Sequence, residues 1–181
     1  MRKLALVLVA IGLSTAANPV WAGDAPQWMH AVVNAQLPDH DEKTDAVLLY
    51  SERNVTVQSI DKVRTHVRVA YKVLRPGGRD YGVALVSFNA HTKINGLKGW
   101  CIPAQGKDYE IKDKEGLEVS LPKVEGSELI SDVRAKVLQI PAADPGNIVG
   151  YEYDEDEQPM VLQEVWSFQR EVPGRELHFS L

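Results

Sequence analysis

The sequence has little cysteine and no excess of basic residues. Cys101 is its only cysteine, so an intrachain disulfide is excluded. The 20 lysine and arginine residues are outnumbered by 25 aspartate and glutamate residues, which gives a formal net charge of −5 at pH 7. Nucleic acids and anionic membrane surfaces attract proteins with clustered positive charge, so the composition argues against both partners.

The sequence is also short of long apolar runs, and the clearest one lies at the N-terminus. Arg2 and Lys3 precede an apolar run at residues 4–13, which is shorter than the ~20 residues that span a bilayer. Val20 and Ala22 fit signal-peptide cleavage after Ala22. Cleavage removes the two positive charges, so the formal net charge changes from −5 to −7. We expect a periplasmic or secreted protein with no stable membrane span after cleavage.

Much of the remaining sequence alternates between apolar and polar residues with a period of two. In the clearest run the inward-facing side chains are Val63, Thr65, Val67, Val69, Tyr71 and Val73. Such alternation is typical of an antiparallel strand with one buried face. A β-rich run at residues 46–57 precedes it, and the two predict a hairpin. Short strands between turn residues, with almost no helical pattern, predict an all-β fold, an antiparallel β-sandwich.

One short helix is predicted before the strands, at residues 26–34. Asp24 is placed to cap this helix, and Pro26 suits its first turn. A polar segment at residues 36–44 follows it. The predicted organisation is a signal peptide at residues 1–22, a short helix and linker at 23–44, and a β-sandwich domain at 45–181.

Further strands are predicted between turn signals. Residues 83–88 are apolar on both faces, which indicates a strand between two covered layers. In the run at 161–169, Trp166 and Phe168 share a face. Residues 176–181 begin a strand that should pair with the sheet and continue past Leu181, because no turn signal closes it, so we expect a truncated domain. The other predicted strands are at residues 92–102, 109–111, 118–121, 133–137 and 148–153.

The segment IPAADPGNIVGYEYDEDEQP, at residues 140–159, raises the question of a phosphate or metal site. The tetrapeptide at 144–147, Asp-Pro-Gly-Asn, has turn residues at each position. A phosphate cradle needs a helix after the glycine, whereas a strand pattern follows. The four adjacent acids at 154–157 lack the spacing of a calcium loop. We predict a turn between strands, followed by a solvated acidic hairpin tip.

The sequence offers no catalytic constellation. Cys101 lies on a strand pattern that ends at Pro103, and no helix follows that would lower the pKa of the thiol. It shares a strand face with Leu97, so we expect a buried thiol. No two histidines have metal-ligand spacing among His30, His40, His66, His91 and His178. We therefore predict no catalytic, metal-binding or cofactor-binding residue and no enzymatic activity in this chain.

Three tryptophans lie beyond the signal peptide, at Trp28, Trp100 and Trp166. Large aromatic side chains are mostly core residues whose N–H groups find partners. They can also line a ligand cleft, and Trp100 and Trp166 are the candidate ligand-binding residues. Exposed rings at these positions would favour a carbohydrate- or peptide-binding module.

Four segments together resemble a known bacterial family. They are RPGGRDYG at 75–82, TKINGLKGW at 92–100, IPAADPGNIVGYEY at 140–153 and VLQEVWSFQ at 161–169. From about Asp45 onward the sequence is similar to the domain of unknown function that precedes a transglutaminase-like core in exported proteins. The resemblance implies a β-sandwich accessory domain. Cys101 does not match the nucleophile of the Cys-His-Asp core, which opens a helix, so no catalytic residue of the family is carried over.

The resulting functional prediction is a non-catalytic, exported β-sandwich module that binds or positions a partner. The partner is a transglutaminase-like domain or a protein or peptide ligand. Two alternatives stay open. The chain is an inactive fragment of a transglutaminase-like hydrolase or acyltransferase, or it is a carbohydrate- or peptide-binding module.

Overall fold

The computed structural model describes residues 24–121, 133–160 and 166–181, and the predicted signal peptide lies outside them. These residues form a mostly β fold, which confirms the predicted class. The strands are β1 (Ala46–Ser59), β2 (Lys62–Val73), β3 (Val83–Phe88), β4 (Thr92–Ile102), β5 (Tyr109–Lys112), β6 (Leu117–Ser120), β7 (Arg134–Gln139), β8 (Ile148–Glu157) and β9 (Leu177–Ser180). The helices are α1 (Gln27–His30) and the 3₁₀ helices Pro76–Gly82 and Asp113–Glu115. No helix in these ranges is long and apolar enough to cross a membrane.

The strands form two sheets that share a core. The six-stranded sheet has the order β5-β4-β8-β2-β1-β9, and the three-stranded sheet has the order β3-β7-β6. Apolar side chains from both sheets meet in the core, including Ala84, Val86, Phe88, Ile94, Leu97, Cys101, Leu138 and Val149. Since β3 and β7 lie against β4, the part of the larger sheet formed by β1, β2 and β9 extends beyond the smaller sheet. That uncovered part positions the candidate site described below.

The β1–β2 hairpin follows from the period-two pattern of the sequence. The two strands pair antiparallel from Ala46↔Val73 to Ser59↔Lys62, as predicted. The buried side chains of β2 on the predicted inward face are Val63, Thr65, Val67, Val69 and Val73. Ala70, on the opposite face, is also buried because the N-terminal segment packs against this end of the sheet.

The N-terminal helix α1 covers the outer face of the six-stranded sheet. Met29 is fully buried there in a cluster with Ala70 and Trp100. The helix is shorter than predicted, since residues 31–34 continue as turns. The prediction that Asp24 caps it is wrong: Pro26 occupies the cap position with extended backbone, and no side chain caps the helix.

β9 forms an edge of the six-stranded sheet and pairs with β1 in the parallel direction. The predicted pairing of the C-terminal strand is confirmed, and its parallel direction makes this sheet mixed, while the other paired strands described are antiparallel. Parallel strands require a long connection, and β9 follows β8 along the chain. Leu48 anchors the end of that connection, because its N–H donates to Pro173 O and its carbonyl accepts from Arg175 N–H, both at 2.9 Å.

β3 is covered on only one face, so the prediction of two covered faces is wrong. Its residues alternate between buried and exposed, and Val83 and Leu85 are 37% and 55% exposed. The physical reason is that the larger sheet packs on only the inner face of the three-stranded sheet.

The remaining predicted segments agree with the structure to different degrees. The predicted strands between residues 92 and 153 correspond to β4–β8. The RPGGRDYG segment at 75–82 contains the whole of the 3₁₀ helix Pro76–Gly82. The strand predicted at 161–169 falls partly outside the described residues, and its described part, 166–169, is not in a strand.

Candidate functional site

The predicted turn at residues 144–147 is confirmed. Asn147 N–H donates to Asp144 O at 3.0 Å, and Gly146 has a φ of 97°, which glycine adopts without strain. The Asn147 side chain accepts from Ala104 N–H at 2.8 Å and donates to Ala142 O at 2.9 Å. β8 follows the turn directly, so the segment connects strands and holds neighbouring loops together.

The acidic residues 154–157 lie inside β8, so the prediction of a solvated hairpin tip is wrong. The register of β8 with β2 places basic side chains opposite them. Arg64 Nε lies 2.7 Å from Asp156 Oδ1, and His66 Nδ1 lies 2.8 Å from Asp154 Oδ1. The hydrogen bond from Arg64 lowers the pKa of the Asp156 carboxyl. Among the residues that the structure describes, no group of three or more histidine, cysteine or acidic side chains could hold a metal ion.

Cys101 is fully buried in the core between the sheets, as predicted. Burial raises the pKa of its thiol, so the reactive thiolate is disfavoured at neutral pH. Its sulfur lies 3.7 Å from Ala142 O. This environment is that of an inert core thiol.

We expect Cys101 in the folded protein to react with a thiol reagent about 100-fold more slowly than the same residue in urea, because modification needs a local opening of the core. The measurement is the rate of colour release from a disulfide reagent at pH 8, with and without denaturant. Equal rates in the two conditions would contradict the assignment of Cys101 as a buried thiol.

Trp100 belongs to the core below α1 and is only 3% exposed. Its ring meets Trp28 edge-on, with centroids 6.2 Å apart. Trp28 Nε1 donates to Glu152 Oε2 at 3.0 Å, which satisfies its N–H group. Neither the face nor the edge of the Trp100 ring is open to a ligand.

Trp166 lies on the opposite face of the six-stranded sheet, so the structure does not bring the two candidate tryptophans together. Its half-buried ring stacks on Phe179 of β9 at 5.3 Å and meets Phe168 edge-on at 4.5 Å. Beside it is a groove of about 370 Å³, which we call the tyrosine groove. Its lining residues are Leu48, Ser51, Glu52, Arg53, Val67, Val69, Tyr71, Tyr151, Tyr153, Trp166 and Arg170.

The tyrosine groove arises where the three-stranded sheet no longer covers the larger one. Tyr151 and Tyr153 are two residues apart on β8 and therefore point to the same face, with their rings 6.5 Å apart and nearly parallel. Tyr71 on the adjacent strand β2 completes the row. Trp166 and Arg170, from the segment between β8 and β9, form the other wall. The groove thus has a rigid sheet wall and a wall carried by a connecting segment.

The tyrosine hydroxyls stay protonated at neutral pH. Burial raises the pKa of Tyr151 and of Tyr153 to about 12 and also raises the pKa of Tyr71. The charge of Arg170 opposes this increase at Tyr71 and Tyr151. The groove therefore combines aromatic surface, neutral hydroxyl groups and a nearby guanidinium group.

A larger cavity of about 640 Å³ lies beside the 3₁₀ helix Pro76–Gly82. It is lined mainly by polar and charged residues, among them Asp41, Asp45, Asp80 and Glu171. Binding pockets are usually apolar or aromatic with a few placed polar groups, and the tyrosine groove fits that description better. We therefore take the smaller groove as the candidate site.

Sequence reasoning identified Trp166 but missed the three tyrosines. The sequence pattern places Tyr71 on the buried face of β2 and predicts only a strand for Tyr151 and Tyr153. The period of two predicts that Tyr151 and Tyr153 share a face. It does not predict that β8 pairs with β2, which places Tyr71 beside them. The signal available in the sequence was the Tyr-x-Tyr spacing at 151–153.

Comparison with known proteins places this fold in a described family. It resembles the solved structure of a protein from Parabacteroides distasonis ATCC 8503, described as a candidate protease, with a TM-score of 0.55 and 13% identity. That likeness covers 64% of this chain but only 23% of the other, and at this identity it concerns the fold alone. No curated protein matches the chain. The family model described as a Domain of Unknown Function with solved structure, DUF3857, matches residues 61–181, and the chain belongs to this family.

Proposed function

We propose that this chain is a non-catalytic, exported β-sandwich module that binds or positions a partner through the tyrosine groove. The partner presents an extended peptide segment, either from a protein ligand or from a transglutaminase-like domain of the kind that the family resemblance implies. The observation that carries the proposal is that Tyr71, Tyr151, Tyr153 and Trp166 line one groove on the uncovered part of the larger sheet.

The surroundings of the aromatic rings favour a peptide over a carbohydrate. Sugar binding relies on aromatic faces that are free to stack on a ring of the ligand. Trp100 is buried, and Trp166 already stacks on Phe179 and carries the Arg170 guanidinium carbon 5.3 Å from its ring centre. Tyrosine and tryptophan with neutral hydroxyl and N–H groups are enriched in protein interfaces.

The alternative of an inactive enzyme fragment differs from the proposal in its chemistry. Cys101 does not match the nucleophile of the core that the resemblance implies, and a catalytic thiol would need a lowered pKa. The buried, raised-pKa thiol of Cys101 supports a module that works by binding.

We expect the immobilised protein to retain a subset of a random library of pentapeptides, some with free and some with capped C-termini. Trp166→Ala should lower that retention about 10-fold, because an aromatic anchor contributes on the order of 1–2 kcal/mol. The matched control is Ile60→Ala, at an exposed turn residue far from the groove, which should retain the same peptides. Mass spectrometry of the eluted peptides gives the readout.

Retention of no peptide, or equal retention by Trp166→Ala and the unchanged protein, would refute the proposal. Retention of oligosaccharides in place of peptides would favour the carbohydrate-binding alternative.

A further inference from the structure

We propose that the tyrosine groove selects a carboxylate group of its peptide partner and that Arg170 pairs with this carboxylate. The inference rests on the proposed function and adds the chemistry by which the partner is recognised. It assigns a role to Arg170, which differs from the other described arginines in its ion pairing.

Most arginines in the described ranges already have an acidic partner. Each of the following lies within 4.0 Å of a carboxylate oxygen: Arg53, Arg64, Arg68, Arg75, Arg79, Arg134 and Arg175. Arg170 has no ion-pair partner among the residues that the structure describes, although acidic residues outnumber basic ones in this chain. No carboxylate of the described residues therefore competes with a ligand for its guanidinium group.

The position of Arg170 directs this charge toward the groove. The guanidinium carbon lies 5.3 Å from the centre of the Trp166 ring, an arrangement that favours a cation over the aromatic face. Its charge also reaches the hydroxyls of Tyr71 and Tyr151, whose pKa values it lowers against the effect of burial. Tyr71, Tyr151 and Arg170 all line the tyrosine groove.

The other charged groups at the groove leave room for an incoming anion. Glu52 is engaged with Arg68, 3.1 Å away, and Arg53 lies 4.0 Å from Glu155. A planar guanidinium group binds a carboxylate through two parallel hydrogen bonds, and neutral hydroxyls donate to the remaining lone pairs. Aromatic walls reduce competing solvation and strengthen such a pair.

The size of the groove suits one acidic side chain or one C-terminal carboxylate with its neighbouring residues. A volume of about 370 Å³ lies at the small end of ligand pockets, which is too small for a folded partner surface. Both sources present the same carboxylate chemistry, and the experiment below separates them.

The test uses three pentapeptide libraries whose flanking residues are randomised among uncharged amino acids only. The first has a central Glu and capped ends, the second a central Gln and capped ends, and the third a central Gln and a free C-terminal carboxylate. We expect the protein to retain the first or the third library about 10-fold better than the second, because a charge-assisted pair contributes about 1.5 kcal/mol. The preferred library identifies the source of the carboxylate.

The same preference should disappear in Arg170→Gln and persist in Arg175→Gln. Arg175 is the matched control because it is nearby in the chain and is paired with Glu176 at 3.1 Å. Arg170→Lys, which keeps the charge without the planar group, should retain part of the preference.

Equal retention of all three libraries would overturn the carboxylate proposal while the proposed peptide-binding function stands. A preference for carboxylates that survives Arg170→Gln would overturn the role of Arg170. Retention of none of the libraries would refute the proposed function as well.

Discussion

Gly78→Ala is expected to lower the free energy of unfolding by about 3 kcal/mol, because the new methyl group would overlap with backbone. A Cβ at Gly78 would lie 2.3 Å from the carbonyl oxygen of Asp45. That oxygen cannot retreat easily, since it accepts from Leu74 N–H at 2.9 Å and from Arg75 N–H at 3.0 Å. The substitution therefore forces apart the 3₁₀ helix Pro76–Gly82 and the start of β1.

Gly77→Ala is the matched control for this prediction. A Cβ there would lie 2.6 Å from Asp45 Oδ2, which is the end of a half-exposed side chain that can rotate away. Replacing a glycine also reduces the entropy of the unfolded chain, which favours folding by about 0.4–1 kcal/mol. We expect Gly77→Ala to leave the free energy of unfolding nearly unchanged. Urea denaturation of the two variants gives the comparison, and equal losses of stability would contradict the backbone-overlap argument.

Met29→Ala is expected to lower the free energy of unfolding by about 3 kcal/mol, in the range of large-to-small substitutions in a core. Met29 is fully buried, and its Cε and Sδ atoms approach the place where a side chain on Gly150 would begin. A helix as short as α1 has no independent stability, so its position depends on this contact. Loss of the side chain should detach the N-terminal segment from the sheet.

Met160→Ala provides the control, because Met160 is 91% exposed. Met160→Ala should change the free energy of unfolding by no more than about 0.5 kcal/mol. Hydrogen exchange distinguishes global destabilisation from local detachment, since Met29→Ala should increase exchange most at Ala31 and Ala35, whose amides hydrogen-bond within the N-terminal segment. A variant whose N-terminal amides stay as protected as before would contradict the anchoring role of Met29.

The sequence allows local features of the fold to be predicted, because the alternation of side chains is a local property. The ends of β4 were predicted to the residue, and the Asp-Pro-Gly-Asn turn follows from the conformational preferences of proline and glycine. The parallel direction of β9 could not be predicted, since it depends on which edge of the sheet the chain joins after β8. The same reason accounts for the error at residues 154–157: only the pairing of β8 with β2 places Arg64 and His66 opposite the acids.

The candidate site was less accessible to prediction than the fold. Trp100 and Trp166 carry the same side chain, and nothing in the local sequence separates a core ring from a groove ring. Their difference comes from what covers each face of the six-stranded sheet, namely α1 on one face and the segment that carries Trp166 on the other. That Arg170 has no ion-pair partner within the described ranges also depends on distant carboxylates and has no sequence signature.

The short parallel strand β9 links the shape of the groove to the edge of the sheet. One wall of the groove belongs to a segment that is secured at its C-terminal end by four residues of β9 and by the backbone contacts of Leu48. A short edge strand opens at a lower free-energy cost than the centre of a sheet, so the wall exists only while β9 is closed. A ligand that contacts both walls binds only molecules in which β9 is paired with β1. Its apparent affinity is therefore lowered in proportion to the fraction of molecules in which this edge is open. The stability of the β1–β9 pairing thus sets the apparent affinity of the groove. Substitutions in β9 would change that affinity without altering any residue that lines the groove.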